Sequence, residues 1–177
     1  MSDVPTSGGE VSTAGLDIVS GPRLEPRPAV ATLGIRETVP FRTMLSNRDR
    51  MLAELIQWLD DHGVEPRGPF FLRLHVVNMS DRMQIEVGVV GESAAADGRV
   101  EAGLIPAGEY AVLAYRAKSL AANRLLHAWV REQGLVLDTQ PHPEGEAFAA
   151  RCEIYLTDPR TEPRKTRWVV ELAFLTR

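Results

Sequence analysis

The sequence has one cysteine, no excess of positive charge and no long apolar run. A single thiol, Cys152, cannot form an internal disulfide, which favours a reducing compartment. No stretch approaches the ~20 apolar residues of a membrane helix. The net charge of −4 excludes a protein held on nucleic acid by its overall charge, which would need a basic surface. Residues 1–5 show neither the basic region nor the apolar core of a secretory signal. We therefore expect a soluble, cytoplasmic protein.

Motifs for metals and common cofactors are also missing. The four histidines form neither an H-x-H nor an H-E-x-x-H pair, so a zinc site is not expected. The sequence contains no G-x-S-x-G, no P-loop and no G-x-G-x-x-G, which removes the main support for a serine hydrolase, an NTPase or a dinucleotide-binding enzyme. We expect no cofactor, no metal and an unreactive, buried Cys152.

The amino-terminal segment differs in composition from the rest of the chain. Residues 1–28 contain no aromatic residue, four glycines and three prolines near their end. Such a segment buries too little apolar surface to offset the entropy of ordering it, so we predict a disordered tail over 1–28. The tail has no room for a helix-turn-helix, so no direct contact with nucleic acid is expected. The folded domain is predicted to span 29–177.

Hydrophobic periodicity predicts the same order of elements twice in the domain, in pseudo-repeats at about 29–90 and 98–177. The first helix shows a capping-box pattern, Ser46-Asn47-Arg48-Asp49, followed by apolar residues at helical spacing from Leu52 to Leu59. The first repeat is predicted as a strand, this helix and two strands, over 29–38, 46–62, 70–78 and 82–90. The second adds one leading strand and is predicted over 98–106, 109–117, 119–133, 148–157 and 166–176.

Two such β-α-β-β units predict an α+β fold. The units can join into one antiparallel sheet that carries both helices on one face and a ligand groove on the other. Alternation along the strands predicts which side chains face the helices. We expect Leu72, Leu74, Cys152, Ile154 and Leu156 to face the helices. The groove side is then expected to carry Phe71, Arg73, His75, Arg151, Glu153 and Tyr155.

Glu153 is the strongest candidate for a functional residue, because it interrupts an apolar strand. A buried carboxylate needs a partner or a ligand, and burial raises its pKa, so Glu153 suits general acid or base chemistry or contact with a cationic ligand. The alternative is a cross-strand ion pair with Arg73 or Arg167. Tyr155 lies on the same face and can supply a hydroxyl or a stacking surface. The full predicted ligand site comprises Phe71, Arg73, His75, Tyr110, Tyr115, Glu153, Tyr155 and Trp168.

Three motifs resemble the GyrI-like effector-binding domain. The stretch Leu104-Ile105-Pro106-Ala107-Gly108-Glu109-Tyr110-Ala111 is similar to the family's strand turn "lPaG-x-Ya", and the helix with Trp129 to its "l..W" helix. Glu153-Ile154-Tyr155-Leu156-Thr157-Asp158-Pro159 resembles its "E-x-Y-x-t-d-P" signature. The resemblance covers about 29–177 and implies a duplicated β-α-β-β fold around an aromatic groove. It places the family's acidic residue at Glu153 and an aromatic neighbour at Tyr155. The chain departs from the family at Tyr115-Arg116-Ala117-Lys118, where many members have a glycine.

The resemblance leaves three functions open, since its members include drug-binding halves of transcription regulators, hydrolases and the gyrase inhibitory protein. The first is a stand-alone binding protein for a bulky aromatic compound, cationic ones included, with Glu153 as the buried carboxylate. The second is a hydrolase of cyclopropane-bearing compounds, in which Glu153 activates water and Tyr155 stabilises the leaving oxygen. The third is an interaction module that acts on gyrase or a DNA-binding partner in trans. No membrane partner is expected.

Overall fold

The computed structural model describes residues 13–177. Within that range the chain forms ten strands and two α-helices, joined by short connections and single 3₁₀ turns. The elements are β1 (Asp17–Arg27), β2 (Val30–Pro40), α1 (Met44–His62), β3 (Phe70–Val77), β4 (Arg82–Val90), β5 (Glu101–Ile105), β6 (Gly108–Arg116), α2 (Ser119–Glu132), β7 (Thr139–His142), β8 (Gly145–Phe148), β9 (Arg151–Tyr155) and β10 (Val170–Leu175).

All pairings in the sheet are antiparallel, and eight strands follow the order β1-β6-β10-β9-β3-β4-β2-β5. This order is symmetric: β1 corresponds to β5, β6 to β2, β10 to β4, and β9 to β3. The predicted α+β class, with one antiparallel sheet and two helices, is confirmed. An additional hairpin, β7–β8, was not predicted and pairs with β3 through β8.

The first strand corrects the prediction of a disordered tail over 1–28. Residues 17–27 form β1, which pairs with β6 from Asp17 opposite Arg116 to Arg27 opposite Gly108. All of its residues are exposed or half-buried, so composition gave no sign of a core strand. Backbone hydrogen bonds to β6 hold this edge strand instead. The rest of the predicted tail, 1–12, lies outside the described residues.

Both helices pack on the same face of the sheet, hereafter the helix face. Their buried residues share one core with the strands: Met51, Leu52, Leu55 and Leu59 from α1, and Ala122, Leu126 and Val130 from α2. The predicted capping box does not form, because α1 begins at Met44 and Ser46 Oγ donates to the Thr43 carbonyl at 3.0 Å. The helix α1 ends at His62, and Gly63 follows it in the left-handed conformation. In the described part of the chain, neither helix combines the length and the apolarity needed to cross a bilayer.

The side chains of β9 face the opposite way from the prediction. Glu153 pairs with Leu72 on β3, and Tyr155 pairs with Phe70. Directly opposed residues share a face of the sheet, and Leu72 and Phe70 belong to the core under the helices. Glu153 and Tyr155 therefore lie on the helix face. Cys152, Ile154 and Leu156, predicted to face the helices, alternate with them onto the other side of the sheet, the open face.

Candidate functional site

A crevice on the helix face collects the chemically active side chains of β9, and we call it the Glu153 crevice. Its walls come from the start of α1, the end of β6, the start of α2, and the turn that precedes β10. Its volume is about 210 Å³. The lining residues are Leu45, Arg48, Tyr115, Ala117, Lys118, Ser119, Glu153, Tyr155, Lys165, Thr166, Trp168 and Val170.

Glu153 is buried in this crevice, with 8% of its surface exposed. Its one side-chain hydrogen bond within residues 13–177 comes from Asn123 Nδ2, at 3.4 Å from Oε1, and the carboxylate forms no salt bridge within 4.0 Å in that range. Burial raises the pKa of Glu153, and the charges of Arg48 and Arg151 oppose that rise only in part. The alternative of an ion pair with Arg73 is wrong, because Arg73 donates to the carbonyls of Leu104 and Ala149.

Tyr155 and Trp168 form an aromatic wall beside the carboxylate. Their ring centroids are 5.2 Å apart and the rings are tilted by 55°, a separation within the range of favourable aromatic pairs. The Trp168 indole N–H donates to the Glu162 carbonyl at 2.8 Å, which fixes the orientation of its ring. Burial raises the pKa of Tyr155 and that of Tyr115, so both hydroxyls are protonated at neutral pH.

Arg48 is a site residue that the sequence interpretation did not include. Its Nη1 donates to the Tyr155 hydroxyl at 3.4 Å, and its Nε and Nη2 donate to Asp49 Oδ1 at 3.0 and 2.8 Å. Lys165 Nζ binds the other oxygen of Asp49. Burial acts to lower the pKa of Arg48, but Tyr155 and Asp49 raise it on balance. Arg48 lies four residues before Leu52, on the buried stripe of α1, and this spacing was the available signal.

The eight predicted ligand-binding residues do not form one groove. Tyr115, Glu153, Tyr155 and Trp168 line the crevice, whereas the other four lie on the open face. Phe71 and Tyr110 line a separate, mostly apolar cavity there of about 400 Å³. His75 Nε2 contacts Glu86 Oε2 at 2.8 Å, and burial lowers the pKa of His75. The sheet therefore separates the predicted groove residues into two cavities. It does so because Glu153 and Tyr155 lie on the helix face and not on the predicted groove side.

No group of three or more histidine, cysteine, aspartate or glutamate side chains between residues 13 and 177 is placed to hold a metal ion. Cys152 is fully buried on the open face, and burial raises the pKa of its thiol to about 12. A thiol with that pKa is protonated at neutral pH and is a poor nucleophile. The crevice therefore offers carboxyl, hydroxyl, guanidinium and aromatic groups as its chemistry.

The sequence matches no protein-family model and no curated protein. Among solved structures, the chain is similar to EcmrR in its DNA complex (TM-score 0.69, 16% identity, 88% of this chain and 56% of that chain). It is also similar to the EcmrR C-terminal domain, with a TM-score of 0.63 and 17% identity over 88% of this chain and 96% of that chain. A third similar structure is SAV2435 bound to tetraphenylphosphonium, with a TM-score of 0.59 and 12% identity over 88% of this chain and 93% of that chain. The chain spans just over half of the DNA-bound EcmrR chain. At these identities the likeness shows the fold alone, and this fold agrees with the one that the motif resemblance implies.

Proposed function

We propose that this protein binds a small aromatic compound in the Glu153 crevice, as a sensor or a sequestering protein. One observation carries the proposal: a buried carboxylate, without a salt bridge in the described range, stands among Tyr115, Tyr155 and Trp168. A buried polar group with incomplete hydrogen bonding destabilises a protein. Such groups in a cleft, with shifted pKa values, are characteristic of functional sites.

The fold provides independent support, since SAV2435, which carries a tetraphenyl cation in its solved structure, shares it. The aromatic wall of Tyr155 and Trp168 suits a flat or multi-ring ligand, because ring faces favour offset and edge-to-face contacts. Glu153 then supplies a polar anchor beside this wall. A small number of polar groups in an otherwise apolar pocket is the usual source of orientation and specificity.

Ligand entry needs some opening of the crevice. Its volume of about 210 Å³ lies below the ~300–1,000 Å³ of drug-sized pockets. Two exposed side chains stand at the rim: Leu45 is 54% exposed, and Lys165 forms an exposed ion pair with Asp49. Exposed ion pairs contribute at most about 1 kcal/mol, so binding energy can displace them.

Calorimetry against a panel of two- and three-ring aromatic compounds tests the proposal. We expect at least one compound to bind. Among the neutral compounds that carry an N–H or O–H donor, Glu153→Gln should weaken binding by about tenfold or more, because a hydrogen bond to a charged group contributes about 1.5–3 kcal/mol. Glu132→Gln, an exposed change on α2, is the matched control. The absence of binding across the panel, or equal affinity of the donor compounds for the Glu153→Gln protein, would show the proposal to be wrong.

Hydrolysis is a second candidate function, favoured by the adjacent Glu153 carboxylate and Tyr155 hydroxyl. Glu153 would take a proton from water while the water oxygen attacks a cyclopropane carbon. The ring C–C bond breaks, its electron pair passes to the conjugated carbonyl oxygen, and Tyr155 donates a proton there. Mass spectrometry of a cyclopropane-bearing alkylator incubated with the protein distinguishes the two functions. Multiple turnovers to a water adduct that vanish in Glu153→Gln support hydrolysis, whereas binding without an adduct supports the binding protein alone.

A further inference from the structure

We propose that the Glu153 crevice selects aromatic compounds with an acidic group over cationic compounds of the same shape. This inference rests on the proposed binding function and names its ligand class. It departs from the expectation that a buried carboxylate marks a site for cations. The reason is the charge that surrounds Glu153, which the sequence alone did not place there.

Cations outnumber carboxylates around the crevice. Arg48, Lys118 and Lys165 line it, against the single lining carboxylate of Glu153. Asp49 adds a second negative charge, because it binds both Arg48 and Lys165. The lining groups and Asp49 together therefore carry one positive charge in excess. If Glu153 is protonated, the excess rises to two, so neither protonation state of Glu153 leaves a net negative site.

The negative charge of Glu153 is also balanced by Arg151, which does not line the crevice. Arg151 Nη2 donates to Asn123 Oδ1 at 3.3 Å, and Asn123 Nδ2 donates to Glu153 Oε1 at 3.4 Å. The Arg151 guanidinium lies between the rings of Phe148 and Phe174, 5.0 Å from each centroid. Glu153 thus lies near two guanidinium groups, Arg48 and Arg151, which oppose the rise of its pKa. A cationic ligand would meet a carboxylate that already has counter-charges.

Arg48 has donor capacity left for an anion. A guanidinium has five N–H groups, and Asp49 accepts from only Nε and Nη2. The contact of Nη1 with the Tyr155 hydroxyl is long, at 3.4 Å. A carboxylate or phenolate on a ligand could therefore accept from Nη1, with Lys165 at the rim. Its rings would lie against Trp168 and Tyr155, and charge-assisted bonds of this kind are the stronger class of hydrogen bond.

Three naphthalene probes of similar shape test the inference: naphthoate, naphthamide and naphthylmethylammonium. Two fused rings are chosen because the crevice is small. Calorimetry should show naphthoate binding about tenfold or more tightly than the ammonium compound, the ratio that one charge-assisted hydrogen bond provides. Naphthamide should lie between them. A cation bound as tightly as naphthoate, or more tightly, overturns the selection while leaving the binding function intact. If no probe and no member of the wider panel binds, the proposed function itself fails.

Substitutions at Arg48 assign the preference to that residue. Arg48→Met should lower naphthoate affinity by about tenfold and leave naphthamide affinity nearly unchanged, whereas Arg48→Lys should keep the preference for the anion. Arg67→Met, which removes an arginine paired with Glu92 outside the crevice, is the matched control. Because Arg48 is buried, its replacement can also disturb the fold, so Lys165→Gln at the exposed rim serves as a second variant. It should reduce the ratio of naphthoate affinity to naphthylmethylammonium affinity by about twofold to threefold. An anion-to-cation ratio unchanged in both Arg48→Met and Lys165→Gln would contradict the proposal.

Discussion

At the scale of single residues, Glu153 occupies a place where the other half of the fold has a leucine. The sheet order is symmetric about the β9–β3 pair, and Glu153 and Leu72 face each other across that pair. Leu72 pairs onward with Val87, and Glu153 with Leu172, so the two have matching neighbours. Leu72 is 0% exposed. A carboxylate in a position that tolerates a buried leucine destabilises the fold, a cost that the proposed binding function would explain.

The raised pKa of Glu153 predicts a specific dependence of stability on pH. A carboxyl whose pKa is higher in the folded than in the unfolded state stabilises the fold below the unfolded value, near 4.5. That stabilisation is lost as the pH rises through the folded value. Urea unfolding should therefore show Glu153→Gln gaining stability relative to the wild type between pH 4.5 and pH 8. Each pKa unit between the two states corresponds to about 1.4 kcal/mol.

The difference between the two proteins isolates Glu153 from other titrations. His75 and His127, whose pKa values burial lowers, change stability in the opposite direction over this range, but they do so in both proteins. Glu132→Gln is expected to follow the wild type at every pH. A gap between Glu153→Gln and the wild type that stays constant from pH 4.5 to pH 8 would contradict a raised pKa in the folded state.

The sequence pointed to some residues of the crevice and not to others, for physical reasons. Glu153 was singled out because a charged residue in an apolar strand is conspicuous, and Tyr155 because it lies two residues further along the same face. Arg48 was missed because it was interpreted as part of a capping box, although its spacing from Leu52 and Leu55 places it on the buried stripe of α1. The local pattern around residues 46–49 fits both interpretations. Only the true start of the helix, at Met44, separates them.

At the scale of elements, the face of β9 was the main error. Alternation divides a strand into two sets of side chains, but it does not say which set meets the helices. Cys152, Ile154 and Leu156 are the more apolar set, so they were assigned to the core. In the structure Leu156 is 51% exposed. Pairing with β3 sets the faces instead, and a pairing register between distant strands cannot be read from either strand alone.

The turn between β6 and α2 carries backbone strain at the edge of the crevice. Ala117 and Lys118 have φ angles of 53° and 54°, in the left-handed region that costs a residue with a side chain about 1–2 kcal/mol. Many members of the family that the sequence resembles have a glycine in this segment, and a left-handed backbone is where glycine is favoured. Ala117→Gly should raise the free energy of unfolding by about 0.5–1 kcal/mol. This is the strain energy that glycine relieves, less the cost of ordering the more flexible glycine backbone on folding.

A urea titration checks this prediction, with Ala53→Gly as the matched control. Ala53 is exposed within α1, where the same exchange should lower stability by about 1 kcal/mol. The two alanine-to-glycine changes remove the same methyl group. A gain in stability for one and a loss for the other would therefore follow from the backbone conformation at each position. Equal destabilisation by both would mean that the turn is not strained.

At the scale of the whole molecule, the two halves exchange their outer strands. β1 precedes the first helix but pairs with β6 of the second half, and β5 belongs to the second half but pairs with β2 of the first. The sequence predicted the positions of the inner strands along the chain because their apolar patterns are strong. β1 was missed because an exposed edge strand depends on backbone pairing, which leaves little trace in composition.

This exchange predicts that the halves fold only together. A cut after the exposed Ala94 leaves three pairings of the long sheet across the two fragments, β1–β6, β2–β5 and β3–β9. Fragments 13–94 and 95–177, expressed together, should elute from size-exclusion chromatography as one complex, while neither alone should unfold cooperatively. Replacing 13–94 by 29–94 removes β1 and leaves the edge of β6 unpaired, so the complex should dissociate more readily. Equal stability of the two complexes would mean that β1 adds nothing to the fold and that a domain beginning at residue 29 is sufficient.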